Sequence, residues 1–147
     1  MSEKEIPPQL EEIIDDFQWC QGREKLEYLL EFSDRFPPLP ERFQNGRDEF
    51  ESVPECMTPV FVRAELEEGR MNFYFDVPES SPTVRGFASM MTEGVGGSTP
   101  EQVLKIPADF YRRMGLEKVL SHQRLNGLSA ILAHMKRLAT RQLERVD

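Results

Sequence analysis

Apolar residues first recur at helical spacing in Leu10, Ile13, Ile14 and Phe17, and Pro7 and Pro8 fix where that helix can begin. Gly22 interrupts the pattern. Leu26, Leu29, Leu30 and Phe32 then form a second stripe between Arg23 and Phe36, and Pro37, Pro38 and Pro40 end it, because proline lacks an amide donor and collides with the preceding turn. These two stripes predict a helical hairpin. Residues 37–59 carry no strong period and include Asn45-Gly46 and Val53-Pro54-Glu55-Cys56-Met57-Thr58-Pro59. An irregular stretch of that length is unusual in a compact domain and is often functional.

The period then changes to two. Val60, Val62, Ala64 and Leu66 alternate with Phe61, Arg63 and Glu65, and Met71, Phe73, Phe75 and Val77 alternate with Asn72, Tyr74 and Asp76. Glu67-Glu68-Gly69-Arg70 between them suits a hairpin turn, with Gly69 available for positive φ. Two strands alone are marginal, so a third, short strand is expected from residues 43–53, with helices covering the apolar face.

Helical spacing returns in Val84, Phe87, Ala88 and Met91, and Gly94, Gly96 and Gly97 break it. That glycine cluster lacks the Lys-Ser or Lys-Thr of a phosphate loop and reads as a linker. Thr99-Pro100-Glu101-Gln102 has the form of a capping box with proline at the first helical position. Pro107 opens a further short helix that Gly115 is placed to end. The last helix is expected from Ser121 or His122 to Arg141 or beyond, striped by Leu125, Leu128, Leu132 and Met135. The order predicts one α+β domain over residues 1–147: a small antiparallel three-stranded sheet packed against an N-terminal helical hairpin and C-terminal helices.

Composition narrows the function classes. With 147 residues, 39% apolar and 30% charged, the chain is globular rather than disordered. No apolar run approaches the roughly 18 residues of a membrane span. The opening MSEKEIPPQL lacks the basic and apolar regions of a secretory signal, and two cysteines make no disulfide framework, so a reducing cytoplasm is expected. Residues 1–100 hold 9 basic and 21 acidic side chains, whereas residues 101–147 hold 9 basic and 5 acidic. The acidic body argues against binding nucleic acid or an anionic membrane. The basic C-terminal part either meets an anion or acidic partner or neutralises the rest of the fold.

Cys56 is the first candidate for chemistry. It lies in a proline-bracketed loop just before a strand, where an accessible thiolate would be a nucleophile and sulfur acceptor. The alternative is a structural cysteine, and Glu55 disfavours the thiolate. Cys20, after Trp19, reads as a core or boundary cysteine. His122 and His134 with the two cysteines have no metal-site spacing, so no metal is expected. A Cys56–His122 hydrolase lacks a recognisable orienting group or oxyanion hole. Arg124 stands in the first turn of the last helix, where the helix dipole does not favour a cation, which implies a specific carboxylate partner. Nearby Asn126 and Gly127 lie in the same turns. Gly127 costs about 1 kcal/mol of helix propensity, which close approach of another backbone would explain.

Three stretches together resemble the SufE family, the sulfur-acceptor partners of cysteine desulfurases in iron–sulfur cluster assembly. Leu39-Pro40-Glu41 through Val53, Cys56, Thr58 and Val60 is similar to the family's Leu-Pro element and acceptor-cysteine pattern. Val84-Arg85-Gly86 resembles its Val-Lys-Gly, and Phe110 to Leu116 followed by Leu120-Ser121-His122-Gln123-Arg124-Leu125-Asn126-Gly127-Leu128 resembles its third motif. Glu55 stands where the family has glycine, Thr58 where it has serine, and Phe61 where tryptophan is common. The resemblance implies that Cys56 accepts persulfide sulfur, with Arg124, Glu55, Thr58, Arg85, Asn126 and Gly127 supporting it or docking a partner. It also implies that the partners are a PLP-dependent cysteine desulfurase and iron–sulfur scaffold proteins. The PLP then belongs to the desulfurase and the chain needs no cofactor. The alternative is a binding or regulatory module of the desulfurase without sulfur relay, which Glu55 favours. Cys56 is expected at one end of the sheet, shielded by Val53 and Met57, and Arg124 is expected to meet Glu55, Asp76 or an acidic residue of the partner.

Overall fold

Helix α1, Pro8–Trp19, begins on the proline pair and buries Leu10, Ile13, Ile14 and Phe17. A computed structural model describes residues 6–43 and 50–145; Asn45-Gly46 lies outside them. Helix α2, Arg23–Asp34, follows Gly22, whose φ of 53° turns the chain back. Its inward face differs from the apolar stripe. Leu29 and Phe32 are buried, but Leu30 is 41% exposed, and Lys25 is buried in line with Leu29 and Phe32. The cause lies at a helix end. Lys25 Nζ donates to Phe17 O at the close of α1 (2.5 Å), which also accepts from Cys20 N, and to Met114 O (2.8 Å), adding a buried donor at two carbonyls near the helix end.

Strand β1 is Glu51–Ser52, β2 is Phe61–Glu67 and β3 is Arg70–Asp76, antiparallel in the order β1-β2-β3. The third strand thus forms, within the expected region. Glu68 (φ 54°) and Gly69 (φ 82°) make the β2–β3 turn, and positive φ at both central positions matches the twist of the strands they join. Register sets Val62 opposite Phe75 and Ala64 opposite Phe73 on the covered face. Leu66, opposite the buried Met71, is 39% exposed and lines an open hollow between β2 and the last helix.

Helix α3, Pro82–Val95, is the central cover, buried from Gly86 to Met91. Gly86 lets α2 approach: a Cβ there would stand 2.7 Å from Leu29 O. The glycine stretch after α3 does more than link, since Met71 N donates to Ser98 O (2.7 Å) and Gly97 N to Met71 O (2.8 Å), adding a short pairing beside β3. Helix α4, Pro100–Leu104, carries the capping box, with Gln102 N donating to Thr99 Oγ1 and Thr99 N to Gln102 Oε1. The expected helix after Pro107 is reduced to 3-10 turns at Phe110–Arg112 and Leu116–Lys118, separated by Gly115 at φ 75°. Helix α5, His122–Arg145, then runs across α4 and β2 with Leu125, Leu128, Leu132 and Met135 inward. No helix of the described residues is long and apolar enough to cross a membrane.

Candidate functional site: a covered thiol on the loop before β2

The loop between β1 and β2 is pinned at its base. Val53 N donates to Val60 O (2.9 Å), and Cys56 N donates back to Val53 O (3.2 Å), so residues 53–56 form a tight turn beside the sheet edge. Val53 is buried and anchors the loop in the core. This turn aims the Cys56 side chain at α5. Its Sγ lies 3.7 Å from Gly127 O, and a Cβ on Gly127 would meet that sulfur at 3.4 Å. The close neighbour of Gly127 is therefore a thiol, not the backbone that the helix glycine suggested.

Cys56 is half-buried. Burial first, and the Glu55 carboxylate second, push its thiol up to about 11, so the resting group is protonated at neutral pH. Met57 borders a hollow beside the thiol, 81% exposed, with Gln123 Nε2 donating to its Sδ. Besides the neighbours Val53 and Met57, α5 at Gly127 covers the thiol.

A hollow of about 290 Å³ opens over the thiol. Cys56 and Thr58 line it from the loop, Ser81 and Thr83 from the start of α3, and Gln123 and Arg124 from α5. Thr58 and Ser81 share a hydroxyl–hydroxyl hydrogen bond, so the Ser81 side chain does not cap the first turn of α3. Arg124 is exposed, its amide donates to Ser121 Oγ, and it carries the only formal charge among the described residues lining the hollow. A cation beside the sulfur favours its anionic forms over the neutral thiol.

The other candidates separate. Glu55 turns away from Arg124 and accepts from His134 Nε2 at 3.2 Å. Arg85 sits elsewhere, donating to Val77 O (2.7 Å) with its guanidinium 4.1 Å from the Phe36 ring centre, which makes it a clamp on the start of α3. Asn126 is exposed and outside the hollow, and Asp76 closes β3 without lining it. No histidine lines the hollow among the described residues, which removes the geometry of a Cys56–His122 hydrolase. The described Cys, His, Asp and Glu side chains form no group of three or more suited to a metal ion.

In the sequence His134 stands only among the residues without metal-site spacing. The ring is buried and its other nitrogen, Nδ1, bonds Glu51. Arg137 and Arg141 also reach Glu51, each at 3.2 Å. Part of the basic C-terminal charge is thus paired with acids of the same chain. The available signal was spacing: His134 follows Gly127 by seven residues, two turns along one face.

A covered loop thiol on a small α+β scaffold is the class that this geometry defines. Comparison with known proteins then gives the family. Residues 11–139 match SufE, the Fe-S metabolism associated domain. An uncharacterized SufE-like protein of Mycobacterium tuberculosis is 38% identical over 133 residues, covering 90% of this chain and 92% of the relative. The Cysteine desulfuration protein SufE of Plasmodium vivax is 25% identical, over 95% of this chain and 56% of the relative. A solution structure of a hypothetical protein from Thermus thermophilus superposes with a TM-score of 0.83 at 37% identity, covering 95% of this chain and 98% of that one. The chain belongs to the SufE family.

Proposed function

We propose that the chain takes sulfur from the persulfide of a PLP-dependent cysteine desulfurase onto Cys56 and passes it to iron–sulfur scaffold proteins. The observation that carries this reading is the Cys56 thiol, set beneath a hollow whose lining among the described residues holds one charge, the Arg124 cation. Membership of the SufE family and the name carried by the Plasmodium relatives, Cysteine desulfuration protein SufE, support the choice of partner.

The transfer balances without an oxidant. Cys56 gives up its proton, its thiolate attacks the outer sulfur of the partner's persulfide, that S–S bond breaks and the partner's cysteine leaves as a thiolate. A new S–S bond stands on Cys56. Arg124 stabilises the terminal sulfur anion, Thr58 and Gly127 shape the space for it, and PLP stays with the desulfurase. Burial keeps the resting thiol unreactive, so partner docking has to draw Cys56 out of its contact with α5. Cytoplasm remains the proposed compartment because it keeps the thiol reduced.

The second reading, a regulatory module without sulfur relay, is favoured by Glu55, whose charge raises the thiol. Desulfurase turnover of cysteine separates the two. Stimulation by the wild-type chain that is lost in Cys56→Ser supports sulfur acceptance; equal stimulation by Cys56→Ser favours the regulatory module.

A further inference from the structure

The structure assigns His134 as a positioning residue for Cys56: its ring gathers Glu51 and Glu55 and so fixes the acceptor loop on α5 while neutralising the carboxylate next to the thiol. This inference rests on the sulfur-acceptor reading for its purpose, though not for its geometry. Glu51 lies at the start of the loop in β1 and Glu55 immediately precedes Cys56, so one ring holds both ends of a five-residue segment. The contact is inside the protein, with the His134 side chain 11% and the Glu51 side chain 13% exposed. In this assignment both carboxylates are ionised and only accept, so the two bonds take a proton on each ring nitrogen and the ring serves as a cation.

Two contacts of α5 therefore act on one loop. Gly127 receives the thiol and, about 10 Å along the same face, His134 receives the loop's acids. Glu55 replaces the small residue that the resemblance places before the acceptor cysteine, and His134 offsets the charge it brings. Arg137 also acts on Glu55, more weakly than His134. The ion pairs of Arg137 and Arg141 from α5 go to Glu51, while along β2, on the wall of the larger hollow on that side, Glu65 pairs with Arg42 at 2.8 Å and with Arg63 at 3.5 Å. A hydrogen bond from its own amide and the bond from His134 keep Glu55 below the usual carboxylate range, so its charge persists at neutral pH and must be answered.

The test is the pH profile of Cys56 alkylation by iodoacetamide, in full-length Cys20→Ser protein so that one thiol reports. His134→Gln keeps hydrogen-bonding groups but removes the cation, and circular dichroism checks its fold. The inflection is expected to rise by about half a pH unit, roughly a threefold loss of thiolate at neutral pH. In a Glu55→Gln background the same substitution should move the inflection by less than a third of that, because no neighbouring charge is left to neutralise. A packing role would not depend on the charge at position 55. An unmoved inflection, or an equal shift in both backgrounds, overturns the assignment. Should His134→Gln fail to fold, His134→Lys supplies the second arm: a retained inflection supports a cation at this place, and a rise like that expected for glutamine overturns it. Failure of the wild-type chain to take sulfur would instead overturn the acceptor reading, a readout that alkylation does not share.

Discussion

Gly127→Ala separates what a helix needs from what Cys56 needs. The position is buried inside α5 with an ordinary helical backbone, so alanine should gain about 1 kcal/mol of helix propensity. The added Cβ would meet one atom within 4 Å outside its own helix turn, Cys56 Sγ at 3.4 Å, which is ordinary contact. Net stabilisation of about 0.5–1 kcal/mol is therefore expected. The persulfide form is another matter. It places a second sulfur about 2 Å beyond Sγ, and the methyl group narrows the wall on which Sγ rests. Overpacking of this kind costs about 1–3 kcal/mol, so equilibrium loading of Cys56 should fall about five- to hundredfold. Urea denaturation gives the first quantity, and intact mass under non-reducing conditions with a desulfurase and cysteine gives the second. A variant less stable than wild type would refute the view that only the sulfur, and no backbone, occupies the space beside Gly127. A more stable variant that loads sulfur normally would refute the role given to that space.

Other predictions address the charge and the scaffold. Burial raises the Cys56 thiol from 9.0 to about 11 in the folded state, so its contribution to stability is full below pH 9 and disappears as pH rises through 11; Cys56→Ser should show a shallower loss over that window in denaturation at fixed pH. Lys25→Ala leaves the Met114 carbonyl without its buried donor, and the Phe17 carbonyl with the Cys20 amide alone, and should cost about 1–3 kcal/mol in urea unfolding, with Lys25→Met costing nearly as much. Arg124→Ala should weaken calorimetric binding to the desulfurase by about 1–3 kcal/mol while leaving the fold's stability within about 0.5 kcal/mol, because the side chain is exposed and free of ion pairs among the described residues.

What the sequence disclosed was mostly local. The capping box at Thr99, the Glu68-Gly69 turn and the inward stripe of α5 depend on neighbours within a few residues, and each appears where the pattern placed it. The exchange of Leu30 for Lys25 on the inner face of α2 was not readable, because it answers carbonyls at residues 17 and 114 that only the tertiary fold brings together. At the site, motif resemblance singled out Cys56, Arg124 and Gly127, and the fold brings these three to one hollow. Arg85 shared a motif but serves the chain's own backbone, and Met57, at the rim of the hollow, is largely exposed. The role of His134 was not legible for the opposite reason: its meaning lies in Glu51 and Glu55, about eighty residues away, and no short-range pattern encodes that meeting.

The central claim, that Cys56 receives sulfur, is tested most directly by intact mass spectrometry of the chain after incubation with a cysteine desulfurase and cysteine, without reductant. Wild type and Cys20→Ser are expected to gain the mass of one sulfur atom, lost again on treatment with dithiothreitol, and Cys56→Ser is expected to gain none. Sulfur appearing on Cys56→Ser, or no gain in wild type beside a desulfurase that loads another acceptor, would contradict the account.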